Sequence, residues 1–211
     1  GLDFATGKYV IFLDSDDYWC DSMILEKLVN LADKYDIDIV RGEYKAVNED
    51  GEDLFYAKTR KVDYNQIYDS AYFIENIING EFFLVLSLIK RTAIGDCRFN
   101  RDQIFLEDMR FYSQLMLQKL KCMYVPSIFY AYRKNVLGAS IKPNVKKLQD
   151  SFNMCAVFNE LSLIATNNEL KKYYRSRSVM MYYWTLDTLS EDPYYDDRIN
   201  IINTMDLRGL R

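Results

Sequence analysis

Histidine is absent from this 211-residue chain. That removes Ser-His and Cys-His nucleophilic machinery, so a general base here must be a carboxylate, Lys, Tyr or Cys. Cysteine is sparse: Cys20, Cys97, Cys122 and Cys155 stand far apart, with no CxxC. Neither a zinc site nor a disulfide framework fits that spacing, and the usage suits a reducing cytosol. The longest nearly apolar run, Phe82 to Ile89, is far too short to span a bilayer. No segment reads as a secretory signal peptide, an internal repeat or a low-complexity tract.

What is present is apolar and aromatic. At 49% hydrophobic and 15% aromatic, the chain can build a sizeable core. The net charge of −4 is unevenly placed. Residues 1–118 carry 13 Lys and Arg against 22 Asp and Glu, whereas residues 119–211 carry 14 against 9. An acidic front half suits a cation site. A basic back half suits an anionic leaflet or substrate, or is an ordinary solvated helix face. Nothing is basic enough to argue for nucleic acid.

The most informative string is Gly7 to Trp19, GKYVIFLDSDDYW. Tyr9 to Leu13 is short, apolar and β-prone, and predicts a buried strand. Asp14, Asp16 and Asp17 stand at its C-terminal end. In extended chain Asp14 and Asp16 project to the same side. Like charges held that close call for a cation between them, and a hard divalent ion such as Mg²⁺, shared with substrate phosphates, is the natural candidate. The same residue types also make turns and helix caps, which is the plain structural alternative.

Downstream, apolar spacing predicts a helix over 21–35, capped by Asp21 or Ser22. A strand over 37–47, a turn at Asn48-Glu49-Asp50-Gly51 and a returning strand over 54–58 follow. A helix from Asp69 or Ser70 to Gly80, a strand over 82–90 and a short helical turn at 92–95 come next. Glu107 to Leu120 reads as a helix. Lys121 to Tyr132 reads as a strand whose Pro126 implies an edge or a bend. Asn135 to Pro143 reads as loop, and the rest as helices over 144–166, 168–190 and 194–206. Glu107-Asp108 has two readings. Acids in a first helical turn interact well with the helix dipole. A carboxylate held there in ionised form is also a general base.

Taken together, these features resemble the family 2 nucleotide-sugar glycosyltransferases with the GT-A fold. GLDFATGKYVIFLDSDDYW resembles the family's strand and DxD loop. FFLVLSLIKRTAIGDCRFN resembles the strand and turn leading into the acceptor site, and FLEDMRFYSQLM the ED motif. VPSIFYAYRKNVLGASI resembles the strand ending in Tyr-x-Tyr-Arg and its Ser-bearing loop. The resemblance implies an α/β fold: a partial GT-A mixed sheet with flanking helices over residues 1–143, then a helical appendage over 144–211.

By that resemblance Asp14 lies near the donor's ribose or sugar, and Asp16 binds Mg²⁺ or Mn²⁺ on the diphosphate with Asp17 assisting. Asp108 is the catalytic base, with Glu107 the second choice. Arg133 sits near phosphate or acceptor, or in a surface ion pair. Tyr18 and Trp19 pack beside the sugar or in the core. The implied reaction is an inverting transfer from a nucleotide-sugar to a saccharide or lipid-linked acceptor. It would serve bacterial polysaccharide or glycoconjugate synthesis in the cytoplasm, with peripheral contact to the inner face of the plasma membrane.

The family's opening βα units, which hold the nucleotide base, are not matched here, because Gly1-Leu2 resembles the tail of its RNxGL segment. These 211 residues alone are therefore expected to bind the donor poorly and to transfer nothing. Two other readings stand beside this one. A haloacid-dehalogenase-like phosphatase would use Asp14 as nucleophile, but Tyr18 occupies the position of its Thr or Val. A non-catalytic helical module would use Tyr173, Tyr174, Tyr182, Tyr183 and Trp184 to contact a partner or to cover the sheet domain.

Overall fold

The computed structural model describes residues 1–56, 61–64, 66–134, 145–190 and 198–204. In chain order the elements are β1 (Tyr9–Val10), β2 (Tyr18–Trp19), α1 (Ile24–Tyr35), β3 (Ile39–Val47), β4 (Asp53–Tyr56) and β5 (Ile67–Tyr68). Then come α2 (Ser70–Tyr72), continued by a π-helical turn over Phe73–Ile78, β6 (Ser87–Lys90), α3 (Arg91–Ile94), α4 (Glu107–Leu115) and β7 (Cys122–Arg133). Three helices follow: α5 (Val145–Ile164), α6 (Asn168–Leu189) and α7 (Arg198–Thr204). Two compact units result: Gly1–Arg98 with Gln118–Gly138, and Phe99–Leu117 with Ala139–Arg211. The expected boundary at 143 and the loop over 135–143 lie outside the described residues, as do positions 57–58 of the returning strand and the break at Glu191-Asp192-Pro193.

The first unit is a mixed sheet in the order β1-β6-β3-β7-β2, with β4 on β3 and β5 on β7. Its spine is the parallel pair β3 and β7. The spacing of Ile24, Leu28 and Ala32 gives α1 one apolar face, and that face packs on Ile37, Val40, Leu86, Leu88, Met123 and Phe129. The ladder between β3 and β7 shifts where Arg41 lies opposite Tyr124 but Glu43 lies opposite Ile128. Two local causes coincide there. Pro126 has no N–H to give a ladder. Gly42 also meets the Phe129 ring so closely that a Cβ would stand 2.6 Å from it. Pro126 thus marks the break in the ladder with β3, and on the other side of β7 it falls between the pairings with β5 at 122–123 and with β2 at 130–131.

Several expected elements are shorter. The strand over 9–13 is paired only at Tyr9 and Val10, antiparallel to Lys90 and Ile89. β1 is the outermost strand of the described sheet, its pairing with β6 ends at Val10, and Leu13 is 48% exposed. Residues 84–86 form a 3₁₀ turn rather than strand: Leu86 donates its N–H to the Phe83 carbonyl (3.3 Å), and the buried Arg41 guanidinium holds the Phe83 and Glu81 carbonyls (2.9 and 2.7 Å). α1 starts at Ile24, since the Asp21 carboxylate caps a turn at the Met23 N–H (2.9 Å) instead of the helix itself. The helix expected to Leu120 stops at Leu115. Beyond it, Gln118 donates to the Ala93 carbonyl (2.8 Å) and Leu120 to the Ser70 hydroxyl (3.1 Å), so tertiary bonds claim the last turn.

The second unit is helical. α5 and α6 run antiparallel: Phe152 meets Tyr182, Ser178 donates to the Cys155 carbonyl (2.8 Å) and Phe158 stacks on Tyr174. α6 starts at Asn168 as predicted, and Asn167 caps it, accepting the Glu169 N–H (2.7 Å) and the Leu170 N–H (3.2 Å). The Tyr174 hydroxyl donates to the Ser113 carbonyl (2.7 Å), tying α6 to α4. The tail's aromatics divide, with Tyr173 and Tyr174 buried and Tyr183 and Trp184 exposed. No described helix is both long and apolar enough to cross a membrane.

Candidate active site

The acids that follow β1 do not continue as extended chain. Asp17 donates its N–H to the Asp14 carbonyl (3.2 Å), closing a turn around Ser15 and Asp16. The alternation argument therefore fails for Asp14 and Asp16, and what places them is a turn. That turn is stapled to the last third of β7. The Asp17 carboxylate accepts the Tyr130 hydroxyl (2.7 Å) and the Arg133 N–H (2.7 Å). The same Tyr130 oxygen accepts the Asp14 N–H (3.3 Å). Burial first, then the Asp17 bond, push the Tyr130 phenol well above its ordinary range, so it remains a proton donor at any physiological pH.

Arg133 works on main chain. Its Nε donates to the Asp16 carbonyl (3.0 Å), its Nη1 to the Glu49 carbonyl, and the guanidinium lies 5.8 Å from the centre of the Tyr18 ring. Asp14, Asp16, Asp17 and Arg133 are thus gathered at one place. Asp14 and Asp16 are exposed, whereas Asp17 is half-buried with each carboxylate oxygen engaged by β7. Trp19 packs against the core cluster, and Tyr18 lies beside Arg133.

The acid pair of the second unit is also presented by a turn. Glu107 and Asp108 open α4, directly after Leu106, which holds a left-handed backbone (φ 59, ψ 24). For a residue with a side chain that conformation costs about 1–2 kcal/mol. Neighbouring bonds hold it. Ile104 and Phe105 donate their N–H groups to one Asp150 oxygen (2.8 and 3.2 Å), and the Gln103 amide donates to the Phe105 carbonyl (2.8 Å). The other Asp150 oxygen takes Lys146 (2.6 Å). Glu107 and Asp108 are half-buried.

Sequence reasoning missed Tyr130 and Asp150, the two side chains that fix these turns. Tyr130 stood inside the quoted YAYR string and read as ordinary strand filling. Asp150 was visible only as an acid among the apolar positions of a helix, between Leu148 and Phe152.

The sequence model of glycosyl transferase family 2 matches residues 1–109, a span that runs through the acid turn and ends just after Glu107-Asp108. The chain belongs to glycosyl transferase family 2. It is 30% identical to glycosyltransferase GlyA of Streptococcus pneumoniae over 63% of this chain and 20% of that protein. It is 25% identical to the cholesterol galactosyltransferase of Borreliella burgdorferi over 100% of this chain and 63% of that one. The chain thus spans only part of the length of these relatives. Among solved structures, Staphylococcus aureus TarS 1–349 in complex with UDP-GlcNAc superposes with a TM-score of 0.69 at 16% identity, covering 99% of this chain and 60% of that one. That likeness shows the fold, which is GT-A.

Among the described residues no three His, Cys, Asp or Glu side chains converge tightly enough to hold a metal ion by themselves. The oxygens of the exposed Asp14 and Asp16 nevertheless fit the hard, incomplete donor set that Mg²⁺ or Mn²⁺ takes when substrate phosphates supply the remainder.

Proposed function

We propose that this chain carries the DxD and acceptor side of an inverting glycosyltransferase. It would move a sugar from a nucleoside-diphosphate donor to a hydroxyl of a saccharide or lipid-linked acceptor, in bacterial polysaccharide or glycoconjugate synthesis. The observation that carries this reading is the acid turn of a family 2 chain, held by Tyr130 and Arg133 with Asp16 left in solvent. The UDP-GlcNAc complex of TarS supports a UDP-linked donor. The Borreliella name supports a lipid hydroxyl as acceptor. Family membership also displaces the phosphatase reading, which required Asp14 as a nucleophile.

In this reading Asp14 and Asp16 face the donor, and Asp16 is the principal holder of a divalent ion, with Asp17 behind it fixing the turn. The ion would neutralise charge developing on the leaving diphosphate. Asp108 takes the proton from the acceptor hydroxyl, with Glu107 the second candidate. The freed oxygen attacks the anomeric carbon on the face opposite the leaving group, so the configuration inverts. Residues 1–143 would be the catalytic part and 144–211 a helical appendage, with peripheral contact to the inner membrane face through the basic half. The test is transfer by the intact protein from UDP-N-acetylglucosamine, UDP-galactose and UDP-glucose to octyl glucoside, with and without Mn²⁺. Mn²⁺-dependent product of inverted configuration, lost in Asp16→Asn, is expected. Absence of turnover with any of these donors, or a retained configuration, overturns the reading.

A further inference from the structure

Asp150 is a carboxylate with only 2% of its side chain exposed, in the second turn of α5. A buried carboxylate is expensive unless its oxygens are satisfied. Here they are, and two of the three bonds go to consecutive main-chain N–H groups, at Ile104 and Phe105, immediately before the left-handed Leu106. The third partner, Lys146, lies one turn away on the same helix. Phe105 is also held through its ring, stacked on Trp184 with Lys147 above it. A helical residue far along the chain therefore grips the two peptides that set the direction in which α4 begins. Asp108 is the second residue of that helix.

We propose that Asp150 is a positioning residue for the Glu107-Asp108 pair: it clamps the 104–106 turn and thereby fixes where the base stands. This rests on the reading of Asp108 as the base. Misplacing a reacting group by about 1 Å can cost on the order of 100-fold in rate. A clamp of this kind acts on turnover and leaves donor affinity alone.

The experiment uses the intact protein with UDP-N-acetylglucosamine and octyl glucoside. Asp150→Ala is expected to lower kcat by about 10- to 100-fold with the donor KM within twofold of wild type. Asp150→Asn keeps one carbonyl oxygen for the two N–H groups, so it falls between, and it serves if the alanine variant does not fold. Amide hydrogen exchange at Ile104 and Phe105 speeds up in either variant. Added to Asp108→Asn, Asp150→Ala costs nothing further, because the group it positions is already gone. Unchanged exchange, an unchanged kcat, or a loss that multiplies with that of Asp108→Asn overturns the proposal. Wild-type transfer by Asp108→Asn alone overturns the base assignment instead. In that case faster exchange with a fallen kcat in Asp150→Ala keeps the clamp and points to Glu107.

Discussion

The two acid-bearing turns are built from opposite chemistry. In the sheet unit the carboxylate is the acceptor at the centre: Asp17 receives a phenol and a main-chain N–H from β7, and its neighbours Asp14 and Asp16 are exposed. In the helical unit the acceptor at the centre is an acid from outside the motif. The turn that presents Glu107 and Asp108 donates N–H groups to a buried carboxylate on α5. One turn spends an acid of its own motif on being held, while the other borrows an acid from elsewhere. A DxD-type string can therefore be read locally, whereas the support of the ED turn cannot.

The comparison can be broken in order of expected effect. Asp108→Asn removes the proposed proton acceptor of the helical unit and should lower kcat by about 10²- to 10⁴-fold, with UDP affinity by calorimetry unchanged. An unaltered kcat would leave the helical turn without a catalytic role. Gly42→Ala attacks the frame of the sheet unit, because its Cβ would stand 2.6 Å from the Phe129 ring with the Ser127 carbonyl at 2.9 Å. Overpacking there should cost about 1–3 kcal/mol in urea unfolding. Tyr130→Phe leaves the Asp17 carboxylate one donor short and should cost about 1–3 kcal/mol, with weaker Mn²⁺-dependent donor binding. If stability falls and donor binding holds, the turn's geometry does not depend on the phenol.

The smallest effect concerns pH. The Lys90 and then the Lys121 hydrogen bonds hold the Asp36 carboxyl down at about 2, below its ordinary 3.8. A depressed folded-state value means that this contribution is present above about pH 4 and is lost as pH falls toward 2. Asp36→Asn should flatten the acid limb of the melting temperature between those values by a small amount that shrinks in high salt, as for any exposed pair. An acid limb identical to wild type would remove Asp36 from the account.

Much of the fold was legible because its signals are local. The strand read over 37–47 is found at Ile39–Val47, the Asn-Glu-Asp-Gly turn closes as read, and the helix read from 168 starts there. What failed was set by distant partners. Whether Ile11 to Leu13 form a strand depends on a neighbour, and no composition rule supplies one. The helix running to Leu120 was a sound reading of periodicity, overruled by Ser70 and the Ala93 carbonyl. The site behaved likewise: the displayed acids announce themselves by type and spacing, but Tyr130 and Asp150 look like any strand tyrosine or helix acid until the chain is folded.

The register shift in β7 has a consequence for how this chain tolerates change. Between Arg41 and Tyr44 the strand β3 advances three residues, while its partner goes from Tyr124 to Tyr130. That surplus is a spacer measured in length rather than in chemistry. Pro126 is exposed, so its ring fills no core space, while its missing N–H keeps the ladder open at that point. Deleting any single residue between Tyr124 and Tyr130 would slide the phenol by about 3.3 Å and turn it to the other face of the sheet. The acid turn would then have no staple at all.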